Sequence, residues 1–216
     1  MREGEARVLA TLLGDLVGSR GARDRAAVHG RVRAALTRVN DELSPVTPLR
    51  VTAGDEFQGT FDHLGAALHA GLLLRLELAP VTDVRLGLGW GEVTLLDAAE
   101  DTQDGPGWWA ARAAIEWVAR TQEQPPTRAV RTAYRRARDT EGPDPHAVNA
   151  ALLCRDQVMG SLDERSLRIL RGLITDVTQN DIARAEGISA SAVSQRVRRD
   201  GLGVLVAASA ELGGVR

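Results

Sequence analysis

The sequence predicts an α+β chain that ends in a small all-helical unit, and three observations carry that prediction. Through about residue 120, short apolar runs of strand length alternate with longer stretches whose apolar residues recur at helical spacing. A segment with two prolines and a glycine, EGPDPH at Glu141 to His146, then marks a candidate boundary. Beyond it the strand-like runs stop, and two short helical patterns flank Gly187.

The elements follow in order. Val8 to Leu13 (VLATLL) is continuously apolar, which suits a strand covered on both faces, and it stops at Gly14-Asp15. From Ala22 to Leu43, Val28, Val32, Leu36, Val39 and Leu43 make a helical stripe that Ser44-Pro45 ends. Leu49–Ala53 and Phe57–Phe61 flank Gly54-Asp55 as a hairpin. Leu64 to Leu78 reads as an apolar helix before Pro80. Val84 to Val93 (VRLGLGWGEV) reads as a strand whose glycines admit another backbone closely. The resulting β-α-β-β-α-β order predicts a ferredoxin-like antiparallel sheet with both helices on one face. After a polar, glycine-rich loop at Asp97–Gly107, a third helix from about Trp108 to Thr121 puts Trp108, Ala111, Ile115 and Val118 on one face. Pro125-Pro126 breaks it, and Arg128 to Arg138 reads as an arginine-rich helical run. Large aromatics at the spacings of Trp90, Trp108, Trp109 and Trp117 read as core or interface, with base stacking reserved for Trp108.

In the C-terminal part, Ser161 and Glu164 have capping-box spacing ahead of a Leu167, Leu170, Leu173 stripe. Gln179 to Ala185, a turn at Gly187, and about Ser189 to Arg199 then read as a helix-turn-helix, the alternative being a helical interaction domain that does not bind DNA. Gly201 to Gly213 reads as a last apolar helix, closing the small core or forming a dimer contact. The domains expected are 1–140, an α+β domain; 141–160, a linker and connecting helix; and 161–216, a helix-turn-helix domain.

Composition narrows the function classes. The chain has 216 residues and a net charge of −2, so it is not a general nucleic-acid coat. It contains no Lys, and its one cysteine, Cys154, has no partner for an internal disulfide. No apolar run approaches the length of a membrane span, so the expectation is a soluble, cytoplasmic protein.

Two acids stand out. With the first two strands as neighbours, Asp15 at the end of one and Asp55 at the hairpin tip point at one spot. Two carboxylates at a sheet rim suit Mg²⁺, which takes hard oxygen ligands and keeps positions open for phosphate oxygens. The alternative is that each acid caps a turn. Arg85 at the start of a strand is expected to pair with Glu77 or Asp83, outside the site.

LLGDLVGSR (Leu12–Arg20), AGDEFQG (Ala53–Gly59), LGLGWGEV (Leu86–Val93) and DGPGWWAAR (Asp104–Arg112) resemble, in that order, the SatD family of bacterial proteins. That pattern is itself similar to class III nucleotide cyclases and, more distantly, to GGDEF-type cyclases and polymerase palms. The resemblance implies a nucleotide-cyclase-like domain in which Asp15, Asp55 and the backbone of Leu16 hold Mg²⁺ or Mn²⁺, with Glu56 as an extra acid. Gly18, Ser19, Arg20 and Trp108 would then contact nucleotide, and Arg112 would be the catalytic, transition-state arginine. Class III cyclases carry Asn four residues before that arginine, where this chain has Trp108.

The C-terminal unit resembles the tail of sigma-factor region 4. Ser189, Ser191, Ser194, Gln195, Arg196, Arg198 and Arg199 are its candidate DNA contacts, Gln195 toward adenine and Arg196 toward guanine. Ser161 to Arg216 holds eight Arg and seven Asp or Glu, and so near-neutral a unit is expected to bind DNA as a homodimer. The leading expectation is a transcription regulator that binds DNA, with a metal and nucleotide ligand. The alternatives are a Mg-dependent nucleotidyl cyclase or nucleotide-processing enzyme, and a catalytically dead dimerisation scaffold.

Overall fold

The computed structural model describes residues 3–18, 25–52, 54–97, 99 and 102–216. Among these, β1 (Ala6–Leu16) is the centre of a six-stranded sheet. β3 (Phe57–Phe61) pairs antiparallel on one side of it and β4 (Val84–Asp97) antiparallel on the other. β2 (Thr47–Val51) extends the β3 side. On the far side of β4 lie β5 (Thr102–Asp104), antiparallel to its end, and β6 (Thr132–Arg136), parallel to its beginning.

The apolar run of β1 has helices on both faces. Ala10, Leu12 and Leu16 enter the main core with Val32, Leu36 and Val39 of α1 (Arg25–Leu43) and Leu64, Leu68 and Leu78 of α2 (Leu64–Leu78). Leu9 and Leu13, one residue out of phase, pack against Trp108, Ala111 and Ile115 of α3 (Pro106–Thr121) on the opposite face. The glycines of β4 set how closely α3 approaches. A Cβ at Gly89 would lie 2.1 Å from the Gly107 carbonyl oxygen, and one at Gly87 would lie 2.3 Å from that of Ala111. Thr11 Oγ1 donates to the Gly107 carbonyl at 2.8 Å in the same seam.

Arg128 to Arg138 is not a helix. A single 3₁₀ turn at Pro125–Thr127 leads into β6, whose Thr132, Ala133 and Tyr134 are buried. Tertiary hydrogen bonds decide it: Asp156 accepts from the backbone N–H groups of Arg131 and Thr132, both at 2.7 Å, and Asn149 Oδ1 accepts from that of Tyr134 at 2.8 Å. Both side chains come from α4 (Pro145–Gly160), which fills the expected linker and is capped by Asp144. Within the expected loop at Asp97–Gly107, Thr102–Asp104 form the short strand β5, and α3 already begins at Pro106.

The last four helices are α5 (Glu164–Ile174), α6 (Gln179–Glu186), α7 (Ala190–Arg199) and α8 (Leu202–Gly213). The cap of α5 is Asp163, which accepts from Ser166 N, and not Ser161. Gly187 takes the left-handed conformation, φ 64°, that ends α6 and allows the tight turn into α7. Ile169, Leu170, Ile182, Val193, Leu202 and Leu205 form their core, and Leu72 and Leu76 of α2 complete it. α2 therefore serves the sheet with one side and this bundle with the other. The final helix closes against it: a Cβ on Gly65 would meet the Gly213 carbonyl oxygen at 2.0 Å. No helix among the described residues is long and apolar enough to cross a membrane.

Candidate functional site

Alternation along β1 puts Asp15 on the same face as Leu9 and Leu13, the face covered by α3, with its side chain 22% exposed. Arg85 is its cross-strand partner in β4. The guanidinium grips both carboxylate oxygens, Nε to Oδ1 at 2.7 Å and Nη2 to Oδ2 at 2.8 Å. Arg85 is thus a site residue, which the sequence reading missed. The partners expected for it are engaged elsewhere: Glu77 with Arg38 and Arg171, and Asp83 with Arg75 and Arg131. Only the strand register reveals the Asp15–Arg85 pair, and register is set by contacts distant in sequence.

The hairpin supplies the other acids. Gly54, with φ 62°, makes the turn, and Thr52 N donates to the Glu56 carbonyl at 3.0 Å to close it. Glu56 receives Arg112 from α3 in a second fork, both distances 3.1 Å. Burial pushes the Asp15 carboxyl above its ordinary value; Arg85 opposes that, and the negative charges of Asp55 and Glu56 push it further up. The Asp15 carboxyl thus feels two neighbouring acids, with Arg85 paired to Asp15 and Arg112 to Glu56. The Arg112 guanidinium is held charged, chiefly by its bond to Glu56.

Other expected members fall differently. Trp108 is 8% exposed and packed with Leu9, Leu13 and Val93, so it offers no face to a nucleotide. Leu16 lies in the strand ladder opposite Val84 with its side chain in the main core. Gly18 is open, with φ 72°, while Ser19 and Arg20 lie outside the described residues.

Among the described residues no three or more His, Cys, Asp or Glu side chains are grouped as a metal cage. What is present is Asp15 with both oxygens held by Arg85, Asp55, and Glu56 held by Arg112. Such a set suits an ion bound by one or two carboxylates together with phosphate oxygens, which is how Mg²⁺ usually binds, better than a metal alone.

On α7, Ser189 caps the helix by accepting from Ala192 N at 3.1 Å, and Ser191 Oγ lies 2.9 Å from Ser189 Oγ. Arg196 turns inward: it bonds Asp163 at 2.8 Å and Ser166 Oγ at 2.8 Å, clamping α7 to α5, and so is not offered to a base edge. Arg199 is paired with Asp200, and Arg198 reaches Ser194 Oγ at 3.0 Å. Ser191, Gln195 and Arg198, at i, i+4 and i+7, form the exposed polar stripe.

Two solved structures described as a bacterial light-regulated adenylyl cyclase are similar to this chain at 16% identity, with TM-scores of 0.47 and 0.49. Each match covers 62% of this chain and 44% of the other, so the chain spans less than half the length of those proteins. The search of curated proteins found no match. Among protein families, the SatD family matches residues 9–211, almost the whole chain, and the protein belongs to the SatD family.

Proposed function

We propose that this protein is a nucleotide-responsive DNA-binding regulator, in which the Asp15 mouth takes a divalent metal with a nucleoside polyphosphate and α6–α7 reads DNA. The observation that carries the reading is the pair of carboxylate–guanidinium forks, Asp15–Arg85 and Glu56–Arg112, at one open end of the sheet. Carboxylates and guanidiniums together match a metal-phosphate ligand: the acids suit the cation, and the planar forks suit phosphate oxygens. Asp15 and Asp55 are the residues that would hold Mg²⁺ or Mn²⁺, and Arg85 and Arg112 those that would meet phosphate. When bound, the ion supplies charge neutralisation for the phosphates. The strand order β2-β3-β1-β4, with its two helices, is read here as the ferredoxin-like core of nucleotide cyclases.

Binding is favoured over turnover because an indole buried in the core stands one helical turn before Arg112, where a cyclase would present a polar group to the ribose. The second part rests on the exposed Ser191, Gln195 and Arg198 stripe after a glycine turn, read as a helix-turn-helix, with a homodimer supplying two such stripes. α2, shared by both cores, is the mechanical link between the two parts.

The test is calorimetric titration with ATP and GTP, with and without Mg²⁺, on the wild type, Asp15→Asn and Asp55→Asn, with products followed by mass spectrometry. The expected result is Mg²⁺-dependent binding, lost in both variants, without product. A cyclic product lost in both variants would instead make the protein an enzyme. No binding to the wild type would leave Asp15 as the cross-strand partner of Arg85 and Asp55 as a turn residue. For DNA, Gln195→Ala with Arg198→Ala is expected to abolish retention of genomic fragments, while Arg196→Ala acts through stability.

A further inference from the structure

The Asp15 mouth uses one flank of α3. The other flank, with β6 and α4, walls a cavity of about 810 Å³, within the size range of small-molecule sites. Its lining combines two tryptophans, Trp109 and Trp117, with three arginines, Arg135, Arg136 and Arg138. Trp109 and Trp117 are eight residues apart on α3, with Ala113 between them, so two indoles border one small-residue floor.

Three observations indicate what this groove takes. Trp109 is 62% exposed, a costly position for the largest apolar side chain, yet its ring is not free: Nε1 donates to Asp104 Oδ1 at 2.9 Å. An exposed indole held in one orientation is a preorganised stacking surface. The side chains of Arg135 and Arg138 are exposed and have no carboxylate partner among the described residues, whereas the other arginine of β6, Arg136, donates to the Gly142 carbonyl at 2.7 Å. Finally, Trp90 Nε1 donates to the Glu141 carbonyl at 2.8 Å and fixes the loop at the rim. Flat aromatic surface beside unpaired guanidinium charge is complementary to a ligand that is itself planar and anionic.

We propose that the groove between α3, β6 and α4 is a binding site for a small planar aromatic anion of nucleotide size, stacked on Trp109 and Trp117 and paired with Arg135 and Arg138. It is separate from the Asp15 mouth, needs no metal, and stands whether or not the reading of that mouth is correct. A half-open groove of this volume holds one nucleotide-sized molecule, and a free ligand of that size is the occupant proposed.

The experiment is titration of the full chain with adenosine 5′-monophosphate in EDTA, followed by tryptophan fluorescence and calorimetry. Adenosine and ribose 5-phosphate serve as the aromatic and anionic halves. Saturable quenching by the monophosphate is expected, with each half at least tenfold weaker. Trp109→Ala and Arg135→Ala are each expected to weaken binding at least fivefold, Arg138→Ala to follow, and Asp15→Asn to leave it unchanged. All four side chains are at least partly exposed, and circular dichroism is the check that the variants fold. No saturable binding of the monophosphate, or binding that survives both Trp109→Ala and Arg135→Ala, would overturn the proposal. So would binding lost in Asp15→Asn, which assigns the signal to the other site. Affinity that rises with the length of a single-stranded oligonucleotide would overturn the small-molecule reading in favour of a polymer.

Discussion

The protein builds two clusters from the same chemistry, arginine against carboxylate, and gives them opposite settings. In the first, Arg75 of α2 is 5% exposed and reaches Asp156 of α4 at 2.6 Å and Asp83 at 3.2 Å, while Arg131 reaches Asp83 at 2.9 Å and buried Arg155 lies beside Asp156. Asp156 also accepts two backbone N–H groups, so three donors converge on its carboxylate. In the second, Asp15 and Glu56 each hold one arginine at the sheet's open end, with Asp55 nearby and solvent on the outside. The acids respond in opposite directions. Burial raises the Asp83 carboxyl, but Arg75 and Arg131 more than offset it and hold it below its ordinary value of 3.8. Burial raises Asp15, and one arginine does not offset it against two neighbouring negative charges. A closed network with enough guanidinium is a staple; an open one short of positive charge leaves a carboxyl raised.

Removing the centre of the staple should have the largest effect. Asp156→Ala strands buried Arg75 and Arg155 and two backbone donors, and is expected to cost about 3–5 kcal/mol in urea denaturation, the range for breaking a buried pair. Asp83→Asn, at a half-exposed corner of the same network, should cost about 1.5–3 kcal/mol, the value of a charge-assisted hydrogen bond. If the two losses are equal, the network does not centre on Asp156.

The pH dependence should separate the clusters by sign. Asp83 is depressed, so its contribution is present above the ordinary carboxylate value and is lost as pH falls through its lower folded value. Asp15 is raised, so its contribution is present below the ordinary value and is withdrawn as pH rises through its higher folded value. Asp15→Asn removes that withdrawal. The stability of Asp15→Asn relative to the wild type is therefore expected to increase from about pH 3 to about pH 7, while that of Asp83→Asn falls over the same range. Denaturation midpoints at both pH values check this, and parallel behaviour of the two variants would end the contrast. The smallest effect belongs to Glu56→Gln, whose partner Arg112 is exposed: about 0–1 kcal/mol, shrinking further in high salt.

Much of the framework was legible in the sequence because single segments encode it. The VLATLL run announces a strand covered on both faces, the α1 stripe has helical period, Leu64–Leu78 is a long apolar run before Pro80, and the glycines of VRLGLGWGEV anticipate the close seam with α3. Arg128–Arg138 misled because arginine is a good helix former and the strand has no alternating pattern; side chains from α4, some fifteen to twenty-five residues later, decide its conformation. The site was half legible. Asp15, Asp55 and Glu56 stand out as acids beside glycines, but Arg85 is linked to Asp15 only by a register pairing across 70 residues. Trp108 and Trp109 are adjacent, and one step around the helix separates a core residue from an exposed one.

The two α4 side chains on β6 have a further consequence. β6 is the outer strand of its side of the sheet, and an outer strand with free N–H groups is a template onto which a strand of another molecule can pair. Asp156 takes the outward N–H of Thr132, and Asn149 takes that of Tyr134 while donating to its carbonyl at 2.9 Å. One carboxylate and one carboxamide, two helical turns apart, thereby stand in for the missing neighbour strand and protect the folded chain against fibre-like self-association along that border.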